Sequence, residues 1–347
     1  MLIMNGHVAD NGHEESGHPE RPDRLTAALA GVDDLHLGDD LRFVKPYQAT
    51  RAELSRVHEP SYLDELGAFC YEGGGNIDED TYATYDSWGI AQYAAGGGLA
   101  VLDEMRKHDE CVGFIAARPP GHHALRDRAM GFCLLNNIAV AAAKLTSEGE
   151  RVLIVDWDVH HGNGTQAIFW NDPNVLYVSS HQWPLYPGSG GAREVGGLDA
   201  VGATVNIPLP AQTTGDVLRR GFEELAAPVI DDFAPTWVLV SAGFDAHRDD
   251  PLADLALSSG DFANLASMVA PYAGANRLAL FLEGGYTLEA LRHSVAATLS
   301  PLLGVDYQCE AVTNSTIGIS EIARSATDRY VAVQSALEQQ AAEGESP

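Results

Sequence analysis

The stretch Arg151–Thr165, RVLIVDWDVHHGNGT, limits the possible folds more than any other part of the sequence. Its apolar run Val152–Val155 is typical of a strand buried in a parallel sheet. Alternate side chains of an extended chain share one face, so Asp156, Asp158 and His160 are predicted to point the same way. Open α/β sheets bind ligands at the carboxyl ends of strands, and carboxylates with imidazole suit zinc or another divalent ion. The alternative, a polar turn with glycine breakers, leaves these paired donors unexplained.

The charge of the chain argues against nucleic acid as a partner. Its 347 residues include 21 basic and 49 acidic ones, which gives a formal net charge of −28. Lys45, Lys107 and Lys144 are its lysines. An acidic surface attracts cationic substrates, but it also favours solubility, so charge alone does not identify the substrate.

The sequence shows no sign of membrane insertion or secretion. It has no apolar run of membrane-spanning length, and Met1–Asp10 lacks the basic and apolar parts of a signal peptide. The cysteines have neither metal-binding nor disulfide spacing and stand at Cys70, Cys111, Cys133 and Cys309. We therefore expect reduced cysteines and a cytoplasmic protein.

Predicted strands and helices alternate along most of the chain. Strands are predicted at Leu41–Val44, Cys111–Ala117, Val152–Val155, Val175–Ser180, Thr204–Ile207, Trp237–Ser241 and Leu278–Leu282. Helices are predicted at Arg24–Gly31 with Asp23 as its N-cap, Arg51–Val57, Pro60–Ala68, Ser87–Arg106, Asn137–Thr146, Thr165–Trp170, Thr214–Phe233, Ser259–Gly274 and Leu288–Leu303. Residues 5–24 and 70–87 are predicted loops. This alternation predicts βαβ units and a parallel sheet covered on both faces.

The C-terminal part of the chain has a different pattern. Residues 306–347 lack a predicted strand, form a helix from about Ser320 to Gln340, and end in the disordered-looking AAEGESP. We therefore predict a catalytic domain, residues 1–305, and a helical C-terminal appendage, residues 306–347. The appendage is a candidate contact in a homo-oligomer.

Three other predicted strands also end in residues suited to catalysis. His122 and His123 follow the strand Cys111–Ala117 on a loop stiffened by prolines, and imidazole titrates near neutral pH. Asp245 and Tyr286 follow two later strands. The carboxyl ends of parallel strands meet at one edge, so these residues are expected to meet the polar residues of the first stretch. A histidine pair alone would be weak support for catalysis.

Seven motifs, taken together, resemble the histone deacetylase family: HPERPDR, RPPGHHA, GFCLLNN, DWDVHHGNGT, YPGSG, AGFDAHRDDPL and EGGYTLEAL. They lie in family order between Gly17 and Leu303. They look closest to the class II group and its bacterial relatives, which include histone deacetylase-like amidohydrolases and acetylpolyamine amidohydrolases. The resemblance implies the arginase/deacetylase fold, an α/β, three-layer αβα architecture whose central parallel sheet has about eight strands.

The resemblance also implies metal ions. One catalytic zinc ion per chain would be bound by Asp158, His160 and Asp245. Three protein ligands leave the fourth coordination position open, as is usual at catalytic zinc sites. A potassium ion is implied beside it, and its ligands would be Asp156, the backbone carbonyls of Asp158 and His160, Ser179 and Ser180. Some class II members bind a second, structural zinc ion. His18 matches one of its ligands, but the required cysteines are absent, so we predict no such site.

The family mechanism assigns a role to each remaining polar residue. Zinc acts as a Lewis acid on water and on the acyl carbonyl. His123 matches the general base, and His122 the more buried histidine that acts electrostatically and in protonating the leaving amine. Tyr286 would donate to the developing oxyanion. Asp156 would orient His122, and Asn163 would pair with His123. Asparagine there is typical of class II and should leave His123 less basic than aspartate would.

The resemblance also places residues around the substrate. Phe132, preceded by Gly131, and Tyr186 match the aromatic residues that enclose the acyl-lysine stem, and Leu252 matches a rim position. Tyr186 stands where phenylalanine is commoner. Asp80 lies in an acidic loop that could bind a distant ammonium group, contact a peptide backbone or simply be solvated. No long insertion is evident, which favours an acyl-lysine or general acyl-amide substrate over an acetylpolyamine, but both stay open.

Two other functions fit the sequence less well. Arginase-like ureohydrolases share the fold but use two manganese ions, and their further carboxylates fall where this chain has Gly162 and His247. A catalytically silent acyl-lysine-binding module would be expected to lack the tyrosine or a metal ligand, and this sequence retains the full set. A zinc-dependent deacylase is therefore the favoured interpretation.

Overall fold

A computed structural model describes residues 1–6 and 10–344 of the protein. Its strands are β1 (Leu2–Asn5), β2 (Leu41–Val44), β3 (Gly74–Asn76), β4 (Tyr82–Thr84), β5 (Val112–Ile115), β6 (Val152–Asp156), β7 (Val175–Gln182), β8 (Thr204–Leu209), β9 (Trp237–Ala242) and β10 (Leu278–Leu282). Eight of them form one sheet in the order β2-β1-β5-β10-β9-β6-β7-β8, and every neighbouring pair is parallel. The predicted parallel sheet is confirmed.

Helices cover both faces of this sheet. They are α1 (Asp23–Asp33), α2 (Arg51–Leu54), α3 (Pro60–Tyr71), α4 (Ser87–Met105), α5 (Asn137–Ser147), α6 (Asn163–Ile168), α7 (Gly215–Gly221), α8 (Ala227–Phe233), α9 (Ser259–Val269), α10 (Leu288–Leu303) and α11 (Ile319–Gly344). Alternate side chains of the central strand β6 enter opposite apolar clusters: Leu153 lies in a cluster with residues of α1, α9 and α10, and Ile154 lies in a cluster with residues of α3, α4 and α5. The three-layer αβα architecture follows from this alternation.

The sequence prediction misses β1, which lies inside the sheet between β2 and β5. Leu2, Ile3 and Met4 are fully buried, but so short an apolar run directly before a polar loop shows no strand periodicity. The predicted loop 70–87 is also wrong in part, because β3 and β4 form an antiparallel hairpin within it. Glycines occupy two of the three positions of β3, and glycine is depleted in strands.

Several helix boundaries differ from prediction; the helix predicted at Thr214–Phe233, for example, is divided into α7 and α8 by a π-helical turn, Phe222–Ala226. Asp23 is the first residue of α1 rather than its N-cap, since Pro22 before it already has helical backbone angles. The helix predicted at Arg51–Val57 ends at Leu54. Its start has a capping box, in which the side chain of Thr50 accepts the Glu53 N–H and the Glu53 carboxylate accepts the Thr50 N–H.

The C-terminal helix α11 packs against β8 at the edge of the sheet. The Ile322 side chain is fully buried there, and the Arg329 guanidinium donates to the carbonyl oxygen of Gly202 at 2.8 Å. The predicted disordered end AAEGESP is wrong as far as Gly344, because α11 continues to that residue. Its last part, 345–347, lies outside the described residues, as does 7–9 of the predicted loop 5–24. Within the described chain, no helix is both long and apolar enough to cross a membrane.

Candidate active site

The candidate site lies where four adjacent strands end. The strands β5, β10, β9 and β6 are neighbours and run in the same direction. The polar residues that follow them are His122 and His123 after β5, Tyr286 after β10, Asp245 after β9, and Asp158 and His160 after β6. Their meeting at one edge therefore follows from the parallel topology.

Short turns position the polar residues after β6. The strand ends at Asp156, so the extended alternation predicted for the residues beyond it is wrong. Instead, the Asp158 N–H donates to Asp156 Oδ1 at 3.2 Å, and the His160 N–H donates to Asp158 Oδ1 at 2.9 Å. Each aspartate thus orients the backbone two residues further on, which is the common local bond of aspartate in turns.

Asp158, His160 and Asp245 form a candidate metal centre. Potential ligand atoms of these three residues all lie within 4.8 Å of one another. His160 Nδ1 is 3.2 Å from Asp158 Oδ1 and 3.1 Å from Asp245 Oδ2. The other carboxylate oxygens accept backbone N–H groups, Asp158 Oδ2 from Gly284 at 2.8 Å and Asp245 Oδ1 from Val159 at 2.9 Å. These bonds hold both carboxylates in place.

The charge of this centre fits a bound cation. Burial and the nearby Asp158 carboxylate raise the pKa of Asp245 to about 7, because two buried carboxylates repel each other. One imidazole with two carboxylates is a ligand set found at zinc sites. The backbone of Gly284 passes so close to the Asp245 carboxylate that only glycine fits there, because a Cβ would lie 2.1 Å from Asp245 Oδ2. The residues present therefore fit a zinc ion.

The two histidines of the motif RPPGHHA have different partners. Their rings lie 4.0 Å apart between centroids. His122 Nδ1 is 3.0 Å from Asp156 Oδ2, whereas His123 Nδ1 is 2.7 Å from Asn163 Oδ1. Burial lowers the pKa of His122, but the Asp156 and Asp158 carboxylates outweigh it and raise that pKa well above its usual value. Burial and the neighbouring His122 lower the pKa of His123 well below its usual value.

Two residues that support this histidine pair are missing from the sequence prediction. The Tyr177 hydroxyl donates to Asp156 Oδ2 at 3.1 Å. Glu283 Oε2 accepts the N–H groups of Gly121 at 2.7 Å and His122 at 3.1 Å. Glu283 follows β10 directly, so a carboxylate at a strand end was a usable signal. Tyr177 is a core tyrosine in β7, and nothing in its local sequence marks it.

Tyr286 lies beside the metal centre, with its backbone and ring both held. Its N–H donates to Asp250 Oδ2 at 2.6 Å, and its ring is 5.8 Å from the Phe132 ring. The Arg24 guanidinium lies 4.8 Å from the ring centroid and donates to the Gly285 carbonyl oxygen at 2.6 Å. Burial raises the pKa of Tyr286 well above its usual value, so the phenol keeps its proton.

The two aromatic residues expected to enclose the acyl-lysine stem stand close to the histidines and Tyr286. The Tyr186 ring is 5.2 Å from the His123 ring, and Phe132 contacts Tyr286 as described above. Gly131 has a φ of +55°, and a Cβ there would lie 2.5 Å from the His123 ring. Glycine at this position therefore allows the Phe132 loop to approach His123.

The other predicted rim residues lie on separate loops. Asp80 follows β3 in the hairpin, and the Thr81 hydroxyl donates to Asp80 Oδ1 at 2.9 Å. The same Thr81 Oγ1 accepts the Phe132 N–H at 3.1 Å, so the hairpin is joined to the Phe132 loop. Leu252 is half-buried, and its N–H donates to Asp250 Oδ1 at 3.1 Å.

Other residues singled out in the sequence have protein partners. Ser179, opposite Asp156 on β7, has its Oγ 2.9 Å from His181 Nδ1, and Ser180 is buried beside it. His161 is hydrogen-bonded at both nitrogens, to Ser189 and Gln166. His18 Nδ1 accepts the Glu20 N–H, and its Nε2 donates to the Asp80 carbonyl oxygen at 3.1 Å. All four cysteines have free thiols.

Comparison with known proteins gives consistent matches. The family model described as "Histone deacetylase domain" matches residues 18–302. An uncharacterised protein of Synechocystis is 42% identical and covers 82% of this chain and 94% of its own length. The "Histone deacetylase-like amidohydrolase" of Pseudomonas aeruginosa is 37% identical over 84% of this chain and 78% of its own.

A third relative and a solved structure extend the comparison. The "Polyamine deacetylase HDAC10" of Mus musculus is 37% identical over 85% of this chain, but the match covers 48% of that longer protein. The crystal structure of the HDA15 HD domain superposes with a TM-score of 0.87 at 32% identity. It covers 97% of this chain and 99% of the other.

Proposed function

Because the chain belongs to the histone deacetylase family and has its arginase/deacetylase fold, we propose that it is a zinc-dependent deacylase. Its substrates are N-acetyl or other N-acyl lysine side chains or related acylated amines, whose amide bond it hydrolyses. One observation carries the proposal: three candidate metal ligands lie beside a histidine pair with oppositely shifted pKa values.

Asp158, His160 and Asp245 would hold the zinc ion. When bound, zinc supplies Lewis acidity towards the amide carbonyl and towards a water molecule. The backbone bonds to both carboxylates support this assignment, because partners that orient metal ligands contribute to affinity. A potassium ion at Asp156, Ser179, Ser180 and the carbonyls of Asp158 and His160 stays a prediction from the family resemblance.

His123 would act as the general base. Asn163 Oδ1 can only accept a hydrogen bond, so His123 Nδ1 carries the proton and its Nε2 keeps a free lone pair. The lowered pKa of His123 keeps the imidazole neutral and able to take a proton from water. The uncharged amide of Asn163 orients the ring without making it strongly basic.

His122 and Tyr286 would stabilise charge and supply protons. His122 is held against Asp156, and its raised pKa keeps it protonated, so it stabilises negative charge and can protonate the leaving amine. The Tyr286 hydroxyl would donate to the oxygen of the acyl group as negative charge develops there. Phe132 and Tyr186 would enclose the acyl-bearing stem, with Gly131, Leu252 and Asp80 around them.

A second candidate within this class is an acetylpolyamine amidohydrolase. The polyamine deacetylase relative and the position of Asp80 on the hairpin beside the Phe132 loop favour it. The Asp80 carboxylate there could bind an ammonium group of the substrate. The division into a catalytic part, 1–305, and an appendage, 306–347, the homo-oligomer contact and the cytoplasmic location stay predictions.

A side-by-side assay tests the proposal. The purified protein should contain about one zinc per chain, as expected for a single catalytic site. It should hydrolyse at least one of acetyl-lysine peptide, longer acyl-lysine peptide and acetylspermidine, and a hydroxamate should inhibit it. No hydrolysis of any of these substrates by the zinc-loaded protein would contradict the proposal. Preference for acetylspermidine would select the polyamine alternative.

A further inference from the structure

The segment between α10 and α11 crosses the N-terminus of α9 and is bonded there through Glu310. Glu310 Oε2 accepts the Ser259 N–H at 2.9 Å, and the Glu310 N–H donates to Ser259 Oγ at 3.0 Å. The same Oε2 lies 2.8 Å from His247 Nε2. Glu310 stands beyond residue 302, where the family match ends.

His247 is buried, and its tautomer follows from its two partners. It is 2% exposed, and its Nδ1 accepts the Asp249 N–H at 3.2 Å. The ring proton is therefore on Nε2, which donates to the Glu310 carboxylate. A buried donor left without its acceptor is unfavourable, so removing this carboxylate favours a different position of the ring.

The loop that contains His247 connects directly to the reacting edge. Asp245 precedes it by two residues, and the His247 carbonyl oxygen accepts the Asp250 N–H at 2.9 Å. Asp250 Oδ2 in turn accepts the Tyr286 N–H at 2.6 Å and the Thr287 N–H at 3.3 Å. One short loop therefore carries both a candidate metal ligand and the acceptor that holds the backbone of Tyr286.

We propose that Glu310 is a positioning residue for this active site, which acts through His247 on Asp245 and on the Asp250–Tyr286 contact. The inference rests on the proposed function, since it assigns Glu310 a part in the same reaction. It also makes the segment after residue 302 a support of the catalytic edge rather than an independent appendage.

The same segment offers a control that separates positioning from general stability. Thr313 Oγ1 donates to Asp261 Oδ2 at 2.7 Å and accepts the Gly215 N–H at 2.9 Å. These bonds also fasten the segment to the body of the protein, but they do not touch the His247 loop. Thr313→Ala should therefore lower the unfolding midpoint and leave catalysis unchanged.

The test compares Glu310→Ala, Glu310→Gln and Thr313→Ala in the full chain. Glu310→Ala should lower kcat about tenfold with little change in KM, and weaken zinc binding about fivefold in competition with a chromophoric chelator. Glu310→Gln keeps an oxygen acceptor for His247 and loses the ion pair of Glu310 with the exposed Arg248 side chain, which contributes little, so it should restore most of the kcat and the zinc affinity. Thr313→Ala should have the kcat and the zinc affinity of the wild type.

Two results would overturn the inference. One is wild-type kcat and zinc affinity in Glu310→Ala, and the other is an equal loss of both in Thr313→Ala. Absence of hydrolysis by the wild type would instead refute the proposed function. In that case the zinc affinities of the three variants still decide whether Glu310 positions the metal ligands.

Discussion

The floor of the candidate site and its rim are built in different ways. The floor carboxylates Asp156, Asp158 and Asp245 are at most 1% exposed, and backbone N–H groups bind their oxygens. The rim residue Tyr186 is 36% exposed and, like Asp80, sits on a loop. Strand ends thus fix the groups proposed for chemistry, whereas loops carry the groups proposed for substrate choice. Changes to the floor should therefore alter turnover, and changes to the rim should alter preference.

The largest effect is expected beside the floor, at Tyr286. Tyr286→Phe removes the proposed oxyanion donor while leaving its ring and backbone contacts, so kcat should fall by about two orders of magnitude or more. Zinc content, measured by metal analysis, should stay that of the wild type. Undiminished turnover in this variant would remove Tyr286 from the mechanism.

A smaller effect is expected from the partner of His123. Asn163→Asp places a carboxylate at His123 Nδ1, which should raise the lowered pKa of His123. A base must be deprotonated to act, so the acid limb of the pH profile of kcat/KM should move to higher pH by about one unit. An unchanged acid limb would show that His123 does not set it.

Substitutions in the rim should instead raise KM, and only for some substrates. Asp80→Asn removes a charge near the Phe132 loop and should raise KM for acetylspermidine about fivefold, the scale of a partly exposed ion pair. KM for a neutral acetyl-lysine peptide and both kcat values should change little. Glu79→Gln, its exposed neighbour, is the matched control. A large loss of kcat in Asp80→Asn would contradict the expectation that rim residues affect substrate preference and not turnover.

The smallest effect on catalysis is expected at His58, whose hydrogen bonds hold the two ends of the loop that contains Phe132. His58 Nδ1 donates to the Leu125 carbonyl oxygen, and its Nε2 accepts the Asn136 N–H. Burial lowers its pKa to about 4, whereas an unfolded histidine has a pKa of about 6.5. The unfolded chain therefore binds the extra proton first, and the stability present above pH 6.5 is lost as the pH falls towards 4.

A variant isolates this contribution of His58. Between pH 7 and pH 5 the wild type should lose about 2 kcal/mol of unfolding free energy through this residue. His58→Gln cannot take up the proton, so urea unfolding should show a pH dependence weaker by that amount. An identical pH dependence in both proteins would mean that His58 takes up its proton equally in the folded and unfolded chains, which would contradict the prediction.

The same division explains what the sequence could predict. Asp158, His160 and Asp245 follow strands with clear apolar runs, so their meeting was predictable from parallel topology. Tyr177 and Glu310 could not be found this way, since nothing in their local sequence marks them: the partner of Tyr177 is on the neighbouring strand β6, and that of Glu310 is 63 residues away. The first strand, β1, was not predicted because its three buried apolar residues are too short a run to show the alternation of a strand.

The order of strands in the sheet also bears on how the protein folds. The strand β5 pairs with β10, although Gly113 and its partner Ala279 are far apart in the chain. Contacts of such high sequence separation form slowly, so the histidine pair and Tyr286 should come together late in folding. Until β10 is in place, the backbone groups of β5 that face it stay unpaired, which exposes a strand edge prone to association. Shortened chains that end before Leu278 should accordingly aggregate rather than retain partial activity.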